Sequence, residues 1–351
     1  MVSNPRKDEF KRKTKIKVAL FGATGAVGQV FMWMLSDHPW FEITRIIASE
    51  SRIGKNYGKE VHWILPMEIP KAIMNITISD FDINAMKAEG IQIVFSALPN
   101  SVAEIVEPKL IEAGFAVFSN AAAMRYQEDV PILIPEANID SLNWIEKQGY
   151  PEKGFIVTNA NCSTTGLAVA MAPLKKFGIK ELTVSTYQSV SGAGHPGLSS
   201  LDITNNVIPY IGDEEEKMIE EFKKILSVNI DIFPFCVRVP IMFGHLETVW
   251  VEFEKDIDLH DVIKEWNESA TGIEHLPSTP VRPIDYDPQE DLPQVKQAFY
   301  GSPAGMTVYT GRLKKQDKRI GFTLMVNNVV KGAAGGSIQN AEAFVAKYLD
   351  N

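Results

Sequence analysis

The sequence predicts an α/β protein: an N-terminal Rossmann-like, doubly wound parallel sheet, followed by an α+β catalytic domain with a mixed sheet. Three observations predict this fold. Up to residue 160, short apolar runs alternate with stretches of helical periodicity, which is typical of a parallel sheet. A glycine-rich turn directly follows the first apolar run. Beyond residue 160, the strand-like runs are separated by longer segments, which favours a mixed or antiparallel sheet covered by helices.

The length of the chain, 351 residues, is sufficient for two domains. We expect a flexible, basic tail over residues 1–14, a dinucleotide-binding domain over 15–160 and the catalytic domain over 161–327. The remaining segment, 328–351, contains an alanine-rich helix that we expect to return to the first domain and complete it.

Composition excludes several classes of function. The net charge of −9 does not favour binding to duplex nucleic acid or to an anionic membrane surface. No apolar stretch approaches the length that crosses a bilayer. Two cysteines cannot build a disulfide framework, and no Cys/His cluster has zinc spacing, so we expect no metal site. A cytoplasmic protein that acts on a small molecule is the resulting expectation.

The glycine-rich turn indicates a dinucleotide site. Residues 16–21 form a β-rich run, and the sequence GATGAVG at residues 22–28 leads from it into an apolar-periodic helix. Gly22 permits a tight turn, Gly25 lets the backbone approach a pyrophosphate, and Gly28 allows the helix to pack closely on the strand. The phosphates would lie at the helix N-terminus. The spacing is a variant of the usual one, and a glycine-rich turn without a ligand is the alternative.

The second strand-like run, residues 42–48, ends where such domains contact the ribose of the coenzyme. Its last residues lead into Ser49, Ser51, Arg52 and Lys55, which surround the single acid Glu50. Two hydroxyls and two cations suit the 2′-phosphate of NADP better than the free hydroxyl of NAD, so we predict NADP. A solvated loop is the alternative.

Two further buried-strand patterns, residues 91–95 and 115–118, are followed by Ser96 and by Asn120. Ligands of doubly wound sheets bind beyond the carboxyl ends of the strands, so this topology places both side chains near a site. Ordinary turn chemistry after a strand is the alternative for each.

Cys162 is the strongest candidate for chemistry. It follows an apolar run and lies among small polar residues, just before a plausible helix over residues 166–174. Partial positive charge at a helix N-terminus favours a thiolate, the reactive form of cysteine. A buried cysteine that acts only as a small apolar side chain is the alternative.

A thiolate catalyst needs a base and an electrostatic partner. Among the six histidines, His195 lies in a loop that could approach the cofactor or the cysteine. His245 follows Arg238 across a turn that succeeds a strand. Arginine can bind a carboxylate through two bonds, and imidazole titrates near neutrality. We therefore favour His245 over His195, while a structural histidine stays the alternative.

At this point the chain resembles the aspartate-β-semialdehyde dehydrogenases, nearer to their archaeal and fungal branch than to the bacterial one. The resemblance extends from about residue 15 to the C-terminus and depends on seven separated motifs in the same order. These motifs are Gly22 to Gly28, Phe95 to Pro99, Ser119-Asn120 with Arg125, Asn161 to Thr165, Gln188 with Ser191 to Gly194, Arg238 to His245, and Asn327 to Asn340.

The resemblance implies roles for these residues. Cys162 would be the nucleophile, His245 the acid/base and Gln188 the residue that orients the intermediate. In the substrate site, Arg238 would bind the α-carboxylate, Glu214 the α-amino group, and Lys217, Arg125 and Asn120 the phosphate. The expected cofactor-binding positions are Gly22, Thr24, Gly25, Ala26, Val27, Ser49, Ser51, Arg52, Ser96, Ser191, Gly192 and Asn328.

The implied reaction is the NADPH-dependent reductive dephosphorylation of L-aspartyl-4-phosphate to L-aspartate-4-semialdehyde, through a cysteine thioacyl intermediate and reversible with phosphate. It belongs to amino-acid biosynthesis, towards lysine, threonine and methionine. Relatives form homodimers or homotetramers through the second domain. Two departures stand out: His195 occupies a position where many relatives carry an aromatic residue, and residues 242–243 are bulkier than usual.

Three other functions remain open from the sequence. A malonyl-CoA reductase of the same superfamily would use the same cysteine on a CoA thioester, although Arg125, Asn120 and Lys217 favour phosphate. A Cys/His hydrolase would have no use for the glycine turn at residues 22–28. A non-catalytic NADP sensor would need no nucleophile.

Overall fold

The computed structural model describes residues 7–194, 197–268 and 271–350, and these residues form two six-stranded sheets with helices around them. The strands of the first sheet are β1 (Ile16–Phe21), β2 (Phe41–Ile47), β3 (Ile78–Ser79), β4 (Ile93–Ser96), β5 (Ala116–Ser119) and β6 (Phe155–Thr158). Those of the second are β7 (Ile179–Gln188), β8 (Asp231–Arg238), β9 (His245–Phe253), β10 (Ile284–Asp287), β11 (Val308–Gln316) and β12 (Arg319–Val326). The α-helices are α1 (Ala26–Leu35), α2 (Tyr57–Glu60), α3 (Lys71–Met74), α4 (Ile83–Ala88), α5 (Asn100–Glu112), α6 (Pro135–Asn138), α7 (Cys162–Met171), α8 (Ser200–Ile203), α9 (Glu214–Leu226), α10 (Leu259–Glu268) and α11 (Gly335–Phe344).

The first sheet is parallel throughout, in the order β3-β2-β1-β4-β5-β6, as the sequence predicts. Apolar clusters cover both of its faces, which explains why β4, β5 and β6 are continuous apolar runs rather than alternating ones. The strand order reverses direction between β1 and β4, so a crevice opens beyond their carboxyl ends.

Helix α11, near the end of the chain, packs against this first sheet rather than the second. Phe344 lies 4.8 Å from Phe155 and 6.1 Å from Phe118, measured between ring centroids. Ile338 and Ala341 belong to the same apolar cluster. The last layer on this face of the sheet is therefore supplied by residues that follow the whole second sheet in sequence.

The second sheet is mixed, in the order β10-β11-β12-β9-β7-β8, with β7 and β8 parallel and β9 antiparallel to β7 and β12. Alternate residues of β7 and β9 are buried, so one face carries the core and the other is more exposed. Helices α7, α9 and α10 contribute to the core on the buried face. This arrangement confirms the predicted mixed sheet covered by helices.

Part of the segment expected to be a flexible tail contacts the first domain. The guanidinium of Arg12 lies 5.8 Å from the Trp40 ring and pairs with Asp350, and the Trp40 indole donates to the carbonyl of Phe10. Residues 1–6 lie outside the described part of the chain. Among the described residues, the helices are all too short or too polar to span a bilayer.

Candidate active site

A cleft of about 930 Å³ lies between the two sheets and gathers most of the predicted site residues. The predicted residues that line it are Gly22, Thr24, Gly25, Ala26, Val27, Ser49, Arg52, Asn120, Arg125, Cys162, Ser191, Gly192, Glu214, Lys217 and Asn328. They come from both ends of the sequence and from both sheets, so folding brings one site together from distant segments.

The glycine turn has the geometry that the sequence predicts. Gly22 has a φ of +80°, and a Cβ there would lie 2.4 Å from the carbonyl oxygen of Ala97. A Cβ on Gly28 would lie 2.1 Å from the carbonyl oxygen of Gly22, so only glycine lets α1 approach the strand this closely. Gly25 is the N-cap of α1 and offers no side chain to cap it. The first amides of α1 therefore lack a side-chain acceptor and border the cleft.

The loop after β2 brings its polar groups towards this turn. A guanidinium nitrogen of Arg52 donates to the hydroxyl of Thr24 at 2.5 Å, and the hydroxyls of Ser49 and Ser51 are 3.3 Å apart. Arg52 is thus held beside the helix N-terminus, where a cation can interact with a phosphate on the ribose.

Cys162 is the first residue of α7, four residues earlier than the helix start that the sequence predicts. The side chain of Asn161 caps the helix by accepting from the backbone N–H of Ser163 at 3.0 Å. Gly332 lies against the cysteine, since a Cβ on this glycine would be only 2.8 Å from the Cβ of Cys162. The Asn161 cap on one side and the backbone of Gly332 on the other fix the position of the thiol.

His245 faces this thiol directly. The Sγ atom of Cys162 lies 3.0 Å from Nε2 of His245. The backbone N–H of Ser189 donates to the other ring nitrogen, Nδ1, at 3.1 Å, which orients the ring. The uncharged ring therefore carries its proton on Nε2, next to the sulfur.

Burial makes the uncharged forms of this pair the favoured ones. Burial, followed by the negative charge of Glu214, raises the pKa of Cys162 to about 12. Burial, followed by the positive charge of Arg238, lowers the pKa of His245 to about 3. The helix N-terminus does contribute as expected, because a hydrogen bond from the backbone of Ser163 lowers the pKa of the thiol, but burial outweighs it. The direction of this shift runs against the expected thiolate.

A pH profile of alkylation checks this direction of the pKa shift. Because thiolate is the reactive form, we expect the rate of Cys162 alkylation by iodoacetamide to rise about tenfold per pH unit from about pH 6 to about pH 9. The rate is measured by mass spectrometry of the peptide that contains Cys162. A rate that is already constant below about pH 7 would instead mean a thiolate–imidazolium pair.

Strand register brings Arg238, Gln188 and His245 into one row. Gln188 is paired with Arg238 across β7 and β8, and Tyr187 is paired with Leu246, so His245 follows on the other side of Gln188. All three side chains of the row are buried on the face that meets α7. This row was inaccessible to sequence analysis, which cannot give the register of three distant strands.

The members of the row contact the rest of the site. A guanidinium nitrogen of Arg238 donates to the carbonyl oxygen of Ser189 at 2.7 Å. The amide nitrogen of Gln188 lies 3.3 Å from a carboxylate oxygen of Glu214. A Cβ on Gly192 would lie 2.9 Å from Arg238, so the loop after β7 covers the arginine closely.

Helix α9 supplies Glu214 and Lys217 of the predicted substrate site. Both oxygens of Glu214 accept from the side-chain amide of Asn161, at 2.8 and 2.9 Å, and Lys217 lies 3.9 Å from Glu214. Across the cleft, Arg125 is buried and pairs with Glu221 of the same helix at 2.7 Å. Asn120 is held by the backbone carbonyl of Ser96.

Gln188, Arg238 and His245 are buried and do not line the cleft, and three other predicted positions are also not established at its surface. The side chain of Ser96 is fully buried, and this residue contributes its carbonyl instead. Ser51 contacts Ser49 but does not line the cleft. His195 lies outside the described residues. Within the described part of the chain, no cluster of acidic, histidine and cysteine side chains could hold a metal ion.

Two acidic residues escaped the sequence analysis. Glu221 is fully buried and bonded to the loop of Arg125 and to Asn161. Glu247 is fully buried two residues after His245, and burial raises its pKa well above the usual value. The spacing of seven residues from Glu214 to Glu221 was the one available signal, because it places both on one face of a helix.

Known proteins match this chain over nearly its whole length. The semialdehyde dehydrogenase NAD-binding domain matches residues 17–145, and the semialdehyde dehydrogenase dimerisation domain matches residues 171–331. The chain is 42% identical to an aspartate-semialdehyde dehydrogenase of Archaeoglobus fulgidus, over 95% of this chain and 99% of the relative. It is 36% identical to a malonyl-CoA reductase (NADP) of Metallosphaera sedula, over 95% of this chain and 98% of the relative. The crystal structure of an aspartate-semialdehyde dehydrogenase with NADP from Candida albicans superposes with a TM-score of 0.86 and 33% identity, covering 95% of this chain and 99% of that one.

Proposed function

Because this chain belongs to the semialdehyde dehydrogenase family, we propose that it is an NADP-dependent aspartate-semialdehyde dehydrogenase. The proposed reaction converts L-aspartyl-4-phosphate into L-aspartate-4-semialdehyde and phosphate. The observation that carries the proposal is the contact of 3.0 Å between Cys162 Sγ and His245 Nε2, in a cleft that also contains a glycine turn.

The coenzyme site is supported by the uncapped N-terminus of α1. Its first amides border the cleft and can donate to a pyrophosphate. Arg52, held by Thr24, is the cation for the 2′-phosphate that distinguishes NADP from NAD. When bound, NADPH supplies the hydride that reduces the thioester. Ser191, Gly192 and Asn328 would border the nicotinamide end, because they line the cleft beside Cys162.

The acyl-phosphate site is supported by Arg125. It lines the cleft, and its buried Nε has no hydrogen-bond partner among the described residues. A buried donor without an acceptor costs free energy, so an anion that accepts from it would bind favourably. Lys217 and Asn120 line the same cleft and would complete the phosphate site, while Arg238 and Glu214 would bind the carboxylate and the amino group.

His245 is placed to donate to the reacting carbonyl oxygen. Because burial keeps the ring uncharged and the backbone N–H of Ser189 donates to Nδ1, the ring carries its proton on Nε2 and cannot accept a second one there. As the Cys162 sulfur bonds to the acyl carbon, the thiol proton would therefore leave with the phosphate. Nε2–H would then donate a hydrogen bond to the oxyanion that the reduction creates, and collapse of this oxyanion would break the C–S bond, release the aldehyde and leave a thiolate that takes a proton from water. Gln188 lies between Arg238 and His245 in the row and contacts Glu214, so it would hold the intermediate in place.

A malonyl-CoA reductase is the second candidate, favoured by the Metallosphaera sedula relative. A substrate screen that follows NADPH absorbance separates the two activities. We expect the oxidation of aspartate semialdehyde with NADP⁺ to require inorganic phosphate, and we expect little activity with malonyl-CoA or with NADH. Activity with malonyl-CoA but not with aspartate semialdehyde would overturn the proposed function.

We also propose that the chain forms a homodimer, or a homotetramer built from it, through the outer face of the second sheet. The family's dimerisation domain matches residues 171–331. On this outer face, Phe233, Phe235, Tyr187 and Trp250 are exposed, and Phe235 is 64% exposed. An apolar face of this kind is typical of a protein–protein interface.

Replacing Phe235 with glutamate should dissociate the dimer. A carboxylate at the centre of an apolar interface costs several kcal/mol, so we expect the dissociation constant to rise at least about 10²-fold. Sedimentation equilibrium measures this constant. Ile105→Glu is the matched control, because Ile105 is 62% exposed on α5 of the other domain. A Phe235→Glu protein that associates as tightly as the Ile105→Glu protein would contradict the interface.

The domain boundaries and the location complete the proposal. We propose 15–160 with 328–351 as the dinucleotide-binding domain and 161–327 as the catalytic and dimerisation domain, in agreement with the packing of α11 on the first sheet. Both cysteines are free thiols, which suits a cytoplasmic enzyme.

A further inference from the structure

Glu221 is bonded to two parts of the site, the loop of Arg125 and the start of α7. One carboxylate oxygen accepts from Arg125 at 2.7 Å and from the hydroxyl of Tyr126 at 3.2 Å. The other accepts from the backbone N–H of Asn161 at 2.5 Å. Asn161 immediately precedes Cys162, so one carboxylate is bonded both to the proposed phosphate-binding arginine and to the residue that caps the helix of the nucleophile.

Helix α9 fixes this carboxylate relative to the loop that carries Arg125. Three residues after Glu221, the ammonium of Lys224 donates to the carbonyl oxygens of Arg125, Gln127 and Val130 at 2.8 to 2.9 Å. Seven residues before Glu221, Glu214 accepts from the side chain of Asn161. One face of α9 therefore holds both the loop from the first domain and the start of α7.

The bond to Glu221 determines which N–H groups of Arg125 remain available to bind an anion. One terminal nitrogen is bonded to Glu221, the other donates to the carbonyl of Asn120 at 3.2 Å, and Nε has no partner among the described residues. Because guanidinium is planar, fixing two nitrogens also fixes the direction of the third. The orientation of the anion-binding group is thus set by Glu221 and by one carbonyl.

We infer that Glu221 is a positioning residue of the reaction, which fixes the distance between the phosphate-binding guanidinium of Arg125 and the sulfur of Cys162. This inference rests on the proposed function, in which Arg125 binds the phosphate. An acyl phosphate must place its phosphoryl group on Arg125 and its carbonyl carbon at the sulfur at the same time, and a displacement of about 1 Å can cost about 10²-fold in rate.

The test uses Glu221→Gln and Glu221→Asp in the phosphate-dependent oxidation of aspartate semialdehyde. The glutamine variant loses the charge pair with Arg125, and the aspartate variant keeps the charge but is too short to reach both partners. We expect the KM for phosphate to rise at least about tenfold and kcat to fall about 10- to 100-fold in both, with the KM for aspartate semialdehyde within about twofold of the wild type. Glu220→Gln, which removes an exposed charge from the same helix, should match the wild type.

Two further results decide between positioning and other roles. Loss of a negative charge near the site would by itself lower the KM for phosphate in Glu221→Gln, so a lower value overturns the inference. In an Arg125→Gln background, Glu221→Gln should change the KM for phosphate by less than about twofold, because Glu221 acts through Arg125. Additive effects would overturn the inference, as would wild-type kinetics in both Glu221 variants.

The wild-type protein separates failure of this inference from failure of the proposed function. If the wild type oxidises aspartate semialdehyde without any need for phosphate, the proposed function fails. If it needs phosphate and the Glu221 variants do not alter the KM for phosphate, only the role of Glu221 fails. Circular dichroism and thermal melting of each variant identify any protein that has lost its fold.

Discussion

Replacing Cys162 with serine should lower kcat by at least about 10³-fold while the dissociation constant for NADPH stays within about twofold of the wild type. A serine hydroxyl ionises far less readily than a thiol, and an imidazole whose pKa burial lowers to about 3 is no effective base for it. Oxygen is smaller than sulfur, so the contacts with Gly332 and His245 remain possible. Stopped-flow kinetics and NADPH fluorescence titration measure the two quantities.

Cys236→Ser is the matched control for this experiment. Cys236 is the second cysteine of the chain, it is fully buried on β8, and burial likewise raises its pKa to about 12. We expect its serine variant to retain wild-type kcat within about twofold, since the thiol does not line the cleft. Mass spectrometry should detect an acyl adduct on Cys162 in the wild type and in Cys236→Ser. A Cys162→Ser enzyme with normal turnover would remove the nucleophile from the mechanism.

Replacing Arg238 with lysine should lower kcat/KM for aspartate semialdehyde by about 10²- to 10³-fold. One guanidinium nitrogen of Arg238 already donates to the carbonyl of Ser189, and the planar group presents its other donors in fixed directions. Lysine keeps the charge but cannot form both the bond to Ser189 and two bonds to a carboxylate. Steady-state kinetics at saturating phosphate and NADP⁺ measure the loss.

A substrate without the carboxylate provides the control for Arg238. With 3-aminopropanal, which lacks the α-carboxylate, the wild type and Arg238→Lys should have kcat/KM values within about threefold of each other. The variant would then have lost discrimination between the two aldehydes rather than its chemistry. An equal loss on both substrates would mean that Arg238 supports the fold or His245 instead of binding the carboxylate.

The first sheet was largely predictable from the sequence because its strands are buried on both faces. Such strands appear as short apolar runs, and β1 coincides with the predicted run, while β2 is displaced by one residue. β3 has only two residues and therefore too little periodicity to be recognised. In the second sheet, β11 ends in the polar stretch Lys314–Gln316 and its register shifts within the strand, which hides its pattern.

The site was predictable as a set of residues but not as an arrangement. The glycine turn is local, so its geometry follows from the residue types alone. The row of Arg238, Gln188 and His245 depends on long-range register. The pKa of Cys162 is also non-local, because the sequence indicates the helix N-terminus but not the burial that outweighs it.

The packing of α11 on the first sheet has a consequence for how this chain folds during synthesis. The strands of that sheet are synthesised first, yet Ile338, Ala341 and Phe344, which cover one of its faces, are synthesised only after the whole second sheet. Until then Phe118 and Phe155 lack their contacts with Phe344. Transiently exposed apolar surface of this kind is aggregation-prone in nascent chains. The dinucleotide-binding half therefore completes its core only after the catalytic half has left the ribosome.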